Sequence, residues 1–164
     1  MMTIRKVLPT DDFDAISHIY ASSWKNAYKG IVPQTYLDMM PDNRWSHFLE
    51  QNPEKSVVAL KGNAYVGTAS FCLARDEEMA GWGELASIYL LPEHFGKGVG
   101  RPLLEAAIAE LRALGCNKFY LWVLEENPRA RAFYEKNGFV TSQEKKLYHI
   151  GGKELVEIKY ISRG

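Results

Sequence analysis

Apolar residues recur along the chain with two spacings, one typical of helices and one typical of strands, and each change of spacing marks the start of a new predicted element. Apolar residues three and four positions apart predict helices, whereas runs that are apolar at every or every second position predict strands. The predicted strands cover residues 2–8, 56–61, 64–75, 84–91, 119–124, 139–148 and 154–161. The predicted helices run from Phe13 to Trp24, over 34–40, 42–51 and 99–114, and from Asn127 to Asn137.

Turn and capping residues mark the ends of these elements. Thr10 or Asp11 is expected to cap the first helix, because both side chains can accept a hydrogen bond from a free backbone N–H. Gly62 and Asn63 predict a hairpin turn. The last two strands are joined by a second glycine turn at residues 151–152. Each predicted boundary is therefore marked by a residue suited to it.

The order of elements, β-α-α-α-β-β-β-α-β-α-β-β, predicts the fold class. We expect an α/β protein with one mixed sheet: an antiparallel meander, then one crossover helix between two parallel strands. The sheet would contain about seven mostly antiparallel strands, with a central parallel pair and flanking helices. The chain has no internal repeats and no low-complexity linker, so residues 1–164 are interpreted as a single domain.

Composition and charge restrict the function. Lys and Arg number 20, as do Asp and Glu, so nothing favours a nucleic-acid partner. No apolar stretch reaches the roughly 20 residues of a membrane span. Cys72 and Cys116 are interpreted as reduced thiols, which favours a cytoplasmic protein. The four histidines are scattered without metal-ligand spacing, so no metal site is expected.

The most informative stretch is residues 85–101, where a buried strand stops at Pro92 and a helix starts after three glycines. Gly96, Gly98 and Gly100 would let several backbone N–H groups point at one anion. Their spacing, G-x-G-x-G, differs from the dinucleotide fingerprint G-x-G-x-x-G, and no P-loop motif is present. A tight strand-to-helix turn without a ligand is the alternative interpretation.

Two motifs resemble those of the Gcn5-related N-acetyltransferases (GNAT family). Their acyl-CoA motif, [Q/R]-x-x-G-x-[G/A], aligns with residues 95–100, where Gly98 and Gly100 match and Phe95 replaces the usual Gln or Arg. The second motif, N-x-x-A-x-x-[F/Y]-Y-x-x-x-G-F, matches residues 127–139. The resemblance extends over most of residues 2–161 and implies a GNAT-like fold, with an acetyl-CoA-binding core over 84–139.

The resemblance also implies which residues bind acetyl-CoA, the expected co-substrate. Pantetheine would pair with the backbone of the central strand, and Asn127 would bond the pantetheine arm besides capping its helix. The pyrophosphate would bind to the backbone of the glycine turn, helped by two positive side chains. The residues so implicated are Ile88, Tyr89, Leu90, Gly96, Lys97, Gly98, Val99, Gly100, Arg101 and Asn127.

Acetyl transfer to an amine needs a general acid for the leaving thiolate and a base for the protonated amine. By resemblance, Tyr134 is the general acid, although a tyrosine on an apolar helix face is otherwise a core residue. Glu84 is the candidate base, directly or through a water that it orders. Its position four residues before Ile88 predicts that both side chains face the same side of the strand. Residues 76–78, all acidic, are competing candidates.

The acceptor is predicted only as a class. By resemblance, the helices over 24–52 lie on the acceptor side. Their aromatic and acidic residues could receive a cationic, partly apolar amine, although at helical spacing most of them are interpreted as core residues. No peptide-binding groove can be read from the sequence, which favours a small molecule over a protein. The residues concerned are Trp24, Tyr28, Tyr36, Asp38, Asp42, Trp45, His47 and Phe48. We therefore expect direct acetyl transfer from acetyl-CoA to a primary amine in a ternary complex.

Several alternatives stay open on the sequence alone. The acceptor could be a protein or peptide, and the chain could be a non-catalytic acyl-CoA-binding module or bind a mononucleotide. The two last strands could also pair across a homodimer, as edge strands can. The particular amine and the preferred acyl length are not predicted.

Overall fold

The computed structural model describes residues 1–162. In this range the strands are β1 Met2–Lys6, β2 Ser56–Lys61, β3 Ala64–Leu73, β4 Gly83–Leu90, β5 Phe119–Leu124, β6 Val140–Ile150 and β7 Lys153–Ser162. The α-helices are α1 Phe13–Ala27, α2 Gln34–Asp38, α3 Ser46–Gln51, α4 Gly100–Ala113 and α5 Pro128–Lys136. The predicted element order is confirmed, and the observed ends differ from the predicted ones by a few residues.

All seven strands form one sheet in the order β1-β2-β3-β4-β5-β7-β6. The pairs β1–β2, β2–β3 and β3–β4 make an antiparallel meander, and α4 crosses over to bring β5 parallel to β4. The predicted mixed α/β sheet with a central parallel pair is therefore confirmed. The hairpin of β6 and β7 adds its second strand to β5, so that β6 is the outer edge.

The parallel pair is short, and this determines where the sheet opens. Ladder pairing joins β4 to β5 only at Gly83 with Phe119 and at Glu84 with Tyr120. Beyond Glu84 the two strands separate, although β4 stays paired with β3 as far as Leu90. The edge of β4 that faces β5 therefore carries unpaired backbone N–H and C=O groups, which are strong hydrogen-bonding groups.

A β-bulge in β4 lies beside this opening. Ser70 of β3 pairs with Ser87, but the next residue, Phe71, pairs with Leu85, so Ala86 is the extra residue. A bulge reverses the alternation of side chains along its strand. Consequently Leu85 and Ile88 face one side of the sheet, whereas Glu84 and Tyr89 face the other.

The core is divided between the two faces of the sheet. On one face, α4 buries Leu103, Ala107 and Leu111 against the central strands, as its helical spacing predicts. On the other face, α1 and the short helices cover the sheet. Ile16 and Leu49 pack there against β2, and Trp24 packs with residues of α2, β5 and β7.

The start of α1 corrects one sequence prediction. The N-cap is Asp12, whose side chain accepts a hydrogen bond from Ala15 N at 3.0 Å, and neither Thr10 nor Asp11 serves this role. Asp11 is unavailable because its carboxylate binds Arg5 of β1. Similarly, the predicted helix over 42–51 is helical only from Ser46, and the preceding residues form turns.

Candidate active site

A cavity of about 1370 Å³ lies where β4 and β5 separate. The glycine turn forms one end, α5 lies alongside, and α1 covers the side of the sheet opposite to α4. Most of the predicted site residues line this cavity. They are Glu84, Ile88, Tyr89, Leu90, Gly96, Gly98, Gly100, Arg101, Asn127 and Tyr134.

The glycine turn has the conformation that its sequence requires. Gly96 and Gly98 have φ angles of +70° and +78°, in the left-handed region that favours glycine. The helix α4 begins at Gly100, where an added Cβ would lie 2.9 Å from Cε1 of Phe133. The absence of side chains therefore leaves the helix N-terminus, an anion-binding feature, open to the cavity.

Two predicted members of the turn have side chains that do not line the cavity. Lys97 is exposed to solvent. Val99 is buried in the core beneath α4, with 1 % of its surface exposed. Any contribution from Val99 would therefore have to come from its backbone.

Phe95 has a partner that the sequence did not reveal. The guanidinium carbon of Arg129, in the first turn of α5, lies 4.0 Å from the centre of the Phe95 ring. Both residues line the cavity next to the glycine turn. The family motif has Gln or Arg at the position of Phe95, and here Arg129 brings a positive charge to the same place from another element.

Tyr134 is part of the cavity wall. Its ring packs edge-on against Phe133 and Phe139, and the residue is 8 % exposed. Burial, with a smaller contribution from Tyr89, raises the pKa of its hydroxyl. The hydroxyl is therefore protonated at neutral pH, which is the state that a general acid needs.

Asn127 caps α5, as predicted: its side-chain oxygen accepts a hydrogen bond from Ala130 N at 3.2 Å. Tyr89 also contributes through its side chain, because its hydroxyl accepts a hydrogen bond from Trp24 Nε1 at 3.0 Å. This bond fixes α1 to β4 across the cavity. Ile88 and Leu90 pack toward the α4 core instead.

Glu84 is held by four hydrogen bonds. The backbone N and Nε of Arg75 donate to its Oε1, Nη2 of Arg75 donates to its Oε2 at 2.6 Å, and the Tyr120 hydroxyl donates to Oε1 at 2.7 Å. Burial opposes ionisation, but these bonds outweigh it and lower the pKa of Glu84. The prediction that Glu84 faces the same side as Ile88 is wrong, because the bulge at Ala86 intervenes.

The predicted acceptor-side residues separate into two groups. Trp24, Tyr28, Trp45 and Phe48 line the cavity, and Asp76 does so among the three competing acidic residues. The side chains of a second group lie outside its lining: Tyr36, Asp38, Asp42, His47, Glu77 and Glu78.

Glu157, Lys146 and Tyr148 line the cavity as well, and sequence reasoning missed all three. They come from the last two strands, which the sequence does not place beside β5. The alternation of polar residues along the last strand was the only available signal. Burial raises the pKa of Glu157, and Lys146 and Arg75 only partly oppose this effect.

Residues 13–139 match the model of a family described as "Acetyltransferase (GNAT) family". The match covers more than half of the chain, so the chain belongs to the GNAT family. It is an acetyl-CoA-dependent N-acetyltransferase, and the fold, the glycine turn and the second motif agree with this class.

Several known proteins are similar to this chain. An uncharacterized N-acetyltransferase, YuaI of Bacillus subtilis, is 32 % identical over 131 residues, which are 78 % of this chain and 75 % of that protein. The spermidine N(1)-acetyltransferase of Thermoplasma acidophilum is 27 % identical, over 83 % of this chain and 86 % of its own. N-alpha-acetyltransferase 30 of Schizosaccharomyces pombe is 26 % identical, with coverages of 67 % and 73 %.

Among solved structures, the PaiA N-acetyltransferase of Thermoplasma acidophilum in complex with coenzyme A superposes with a TM-score of 0.79. The match covers 100 % of this chain and 99 % of that one, at 21 % identity, and supports the fold. Within residues 1–162, no helix is long and apolar enough to cross a membrane. The same residues contain no group of three His, Cys, Asp or Glu side chains arranged to hold a metal ion.

Proposed function

We propose that this enzyme transfers the acetyl group of acetyl-CoA directly to a primary amine of a small molecule, in a ternary complex, with Tyr134 as the general acid. The observation that carries the proposal is the opening between β4 and β5, which has the glycine turn at one end and the Tyr134 ring in its wall. A bound thioester would supply the acyl group, and the chain supplies orientation and a proton.

The residues present fit acetyl-CoA. The edge of β4 that faces β5, at Ile88, Tyr89 and Leu90, offers backbone groups to the pantetheine amides, as a neighbouring strand would. The Leu90 carbonyl on this stretch already accepts a hydrogen bond from the Ser23 hydroxyl. The N–H groups over 96–101 suit a pyrophosphate, because the glycines let the backbone approach without a Cβ. The side chains of Arg101 and Arg129 add positive charge, and Asn127 lines the same cavity, which supports its role as a contact of the pantetheine arm.

Tyr134 protonates the departing thiolate in this proposal. Burial keeps its hydroxyl protonated, and the edge-on packing of its ring against Phe133 and Phe139 fixes the ring in the cavity wall. Which carboxylate accepts the proton of the amine is a separate question. Glu84 stays a prediction for this role, directly or through a water.

The test is the substitution Tyr134→Phe, followed by thiol release from acetyl-CoA and by calorimetry. We expect kcat to fall by about 10²-fold, the scale of general acid catalysis, while the Kd for acetyl-CoA changes little. Tyr65→Phe is the control, because that hydroxyl bonds Asp11 outside the cavity. Undiminished turnover of Tyr134→Phe across the pH range would remove Tyr134 from the mechanism.

A panel of acceptors decides between substrate classes. It contains monoamines, amino acids, polyamines, aminoglycosides and peptides, each tested with acetyl-CoA. The proposal expects small amines to be acetylated with a higher kcat/KM than peptides, and faster acetylation of peptides would contradict it. Calorimetry with ATP and NAD tests the mononucleotide alternative, which requires that either nucleotide binds and acetyl-CoA does not.

A further inference from the structure

Three carboxylates line the cavity, and two of them are already engaged. Glu84 accepts the four hydrogen bonds from Arg75 and Tyr120. Asp76 accepts a hydrogen bond from Trp122 Nε1 at 3.0 Å and lies 3.5 Å from Lys159 Nζ. Donors therefore already occupy both oxygens of Glu84 and Oδ2 of Asp76, so these carboxylates are less free than an unbonded one to receive the proton of an amine.

Glu157, the third carboxylate, accepts no hydrogen bond from any residue in the described part of the chain. Its nearest cation is Lys146, whose Nζ lies 3.9 Å from Oε1, beyond hydrogen-bond distance. The Glu157 side chain is nevertheless only 16 % exposed. Glu157 lies in the middle of β7, where it pairs with Leu124 of β5 and Lys146 of β6. Its backbone is therefore held on both sides by the sheet.

The surroundings of Glu157 suit an ammonium group. Trp122 and Tyr148 also line the cavity, and aromatic faces attract cations. The Trp122 ring already has the Lys146 ammonium 4.2 Å from its centre, which shows that a cation can lie in this region. Tyr28 is close enough to both Glu157 and Tyr134, the proposed general acid, for each to affect its ionisation. Burial is the main cause that raises the pKa of Tyr28, and Tyr134 and Glu157 raise it further. Tyr28, Tyr134 and Glu157 all line the one cavity.

We propose that Glu157 binds the ammonium group of the acceptor and accepts its proton, in place of Glu84. This inference rests on the proposed function and assigns its missing base. Glu84, with its four donors, acts instead as a positioning residue that fixes Arg75 and Tyr120 beside the bulge of β4.

The proton balance is complete with these two residues. The ammonium gives one proton to Glu157, and the neutral nitrogen forms a bond to the thioester carbon. The C–S bond breaks, and the sulfur takes the proton of the Tyr134 hydroxyl. The nitrogen then loses its second proton, which restores Tyr134, and Glu157 releases the first to solvent. The products are an amide, free thiol and one proton.

The groups that face Glu157 determine its pH dependence. They are Lys146 and Tyr148 from β6, Tyr28 from the end of α1, Arg75 from the loop before β4, and Glu84 from β4. Burial outweighs the cations among them and raises the pKa of Glu157. Because a base must be ionised, kcat/KM should fall as the pH drops through this raised pKa.

The experiment is a pH profile of kcat/KM for Glu157→Gln, Glu84→Gln and the wild type, with the best amine of the acceptor panel. We expect Glu157→Gln to lower kcat/KM by about 10²-fold near neutral pH. The deficit should narrow as the pH approaches the pKa of the amine, because the substrate then arrives neutral. The Kd for acetyl-CoA, measured by calorimetry, should stay unchanged and would report an intact fold.

Glu154→Gln is the matched control, since it makes the same change on the same strand at an exposed residue outside the cavity lining. Glu157→Asp keeps a carboxylate and should recover part of the lost rate. A wild-type profile for Glu157→Gln would refute the assignment, as would a deficit that is the same at every pH. If the wild type acetylates no amine, the proposed function itself fails, which is a distinguishable result.

Discussion

The carboxylate of Asp11 anchors the start of α1, the helix that brings Trp24 and Tyr28 to the cavity. It receives two hydrogen bonds of 2.8 Å from the guanidinium of Arg5, one of 2.7 Å from Leu8 N and one of 2.9 Å from the Tyr65 hydroxyl. The side chain is 5 % exposed. The substitution Asp11→Asn removes the charge at nearly constant shape.

The magnitude follows from the ionisation of this group. The hydrogen bonds from Arg5, assisted by those from Leu8 and Tyr65, outweigh burial and lower the pKa of Asp11 from 3.8 to about 2. Each pKa unit corresponds to about 1.4 kcal/mol, so the ionised carboxylate stabilises the folded state by about 2 kcal/mol. Because the folded pKa is lowered, this stability is complete well above pH 3.8 and is lost as the pH falls through about 2.

The assay is urea unfolding of the wild type and Asp11→Asn at a series of pH values. At neutral pH the variant should be less stable by about 2 kcal/mol, and the gap should shrink in acid. Asp38→Asn is the control, because Asp38 is exposed and bonds only Gln34 of its own helix. A gap that is constant with pH, or no larger than that of the control, would refute the reasoning.

Three further changes address the cavity. Gly98→Ala should raise the Kd for acetyl-CoA measured by calorimetry. A side chain held at the φ angle of +78° costs about 1–2 kcal/mol, and relaxation of the turn away from that angle would misalign the backbone N–H groups that bind the pyrophosphate. Arg129→Ala should raise the KM for acetyl-CoA by about tenfold and leave kcat unchanged, since one charge-assisted contact to phosphate is lost; an unchanged KM would exclude that contact. Glu84→Gln should lower the free energy of unfolding by about 1–3 kcal/mol. In acid, the stability of Glu84→Gln should not differ from that of the wild type. Because the pKa of Glu84 is lower in the folded than in the unfolded protein, its ionised carboxylate stabilises the fold above the unfolded pKa, and this stabilisation is gone below the folded pKa.

The sequence predicts the fold of this chain well because its signals are local. Helical spacing from Phe13 onward and in α4, together with the glycine turns, fixes the order of elements. The cap of α1 was misassigned to Thr10 or Asp11 because the choice depends on Arg5, in a different element. Thr10, Asp11 and Asp12 all have side chains that can cap a helix, and the sequence around them does not show which of the three does so.

The candidate site was predicted only in part, for a similar reason. The residues expected to bind acyl-CoA lie in two continuous sequence motifs, over 95–100 and 127–139, so Gly98 and Tyr134 could be recognised from the spacing of residues within those motifs. The bulge at Ala86 is set by pairing with β3, and it moved Glu84 to the other face. Glu157 reaches the cavity only because β7 pairs with β5, which is a long-range contact without a local signature.

The two residue pairs that join β4 to β5 are also a mechanical weak point. Strands β1 to β4 form one block of the sheet and β5 to β7 form another, and little backbone connects them. A molecule lying along the free edge of β4 would complete the sheet as a substitute strand. Filling the opening would then bridge the two blocks at the place where the sheet's own ladder stops.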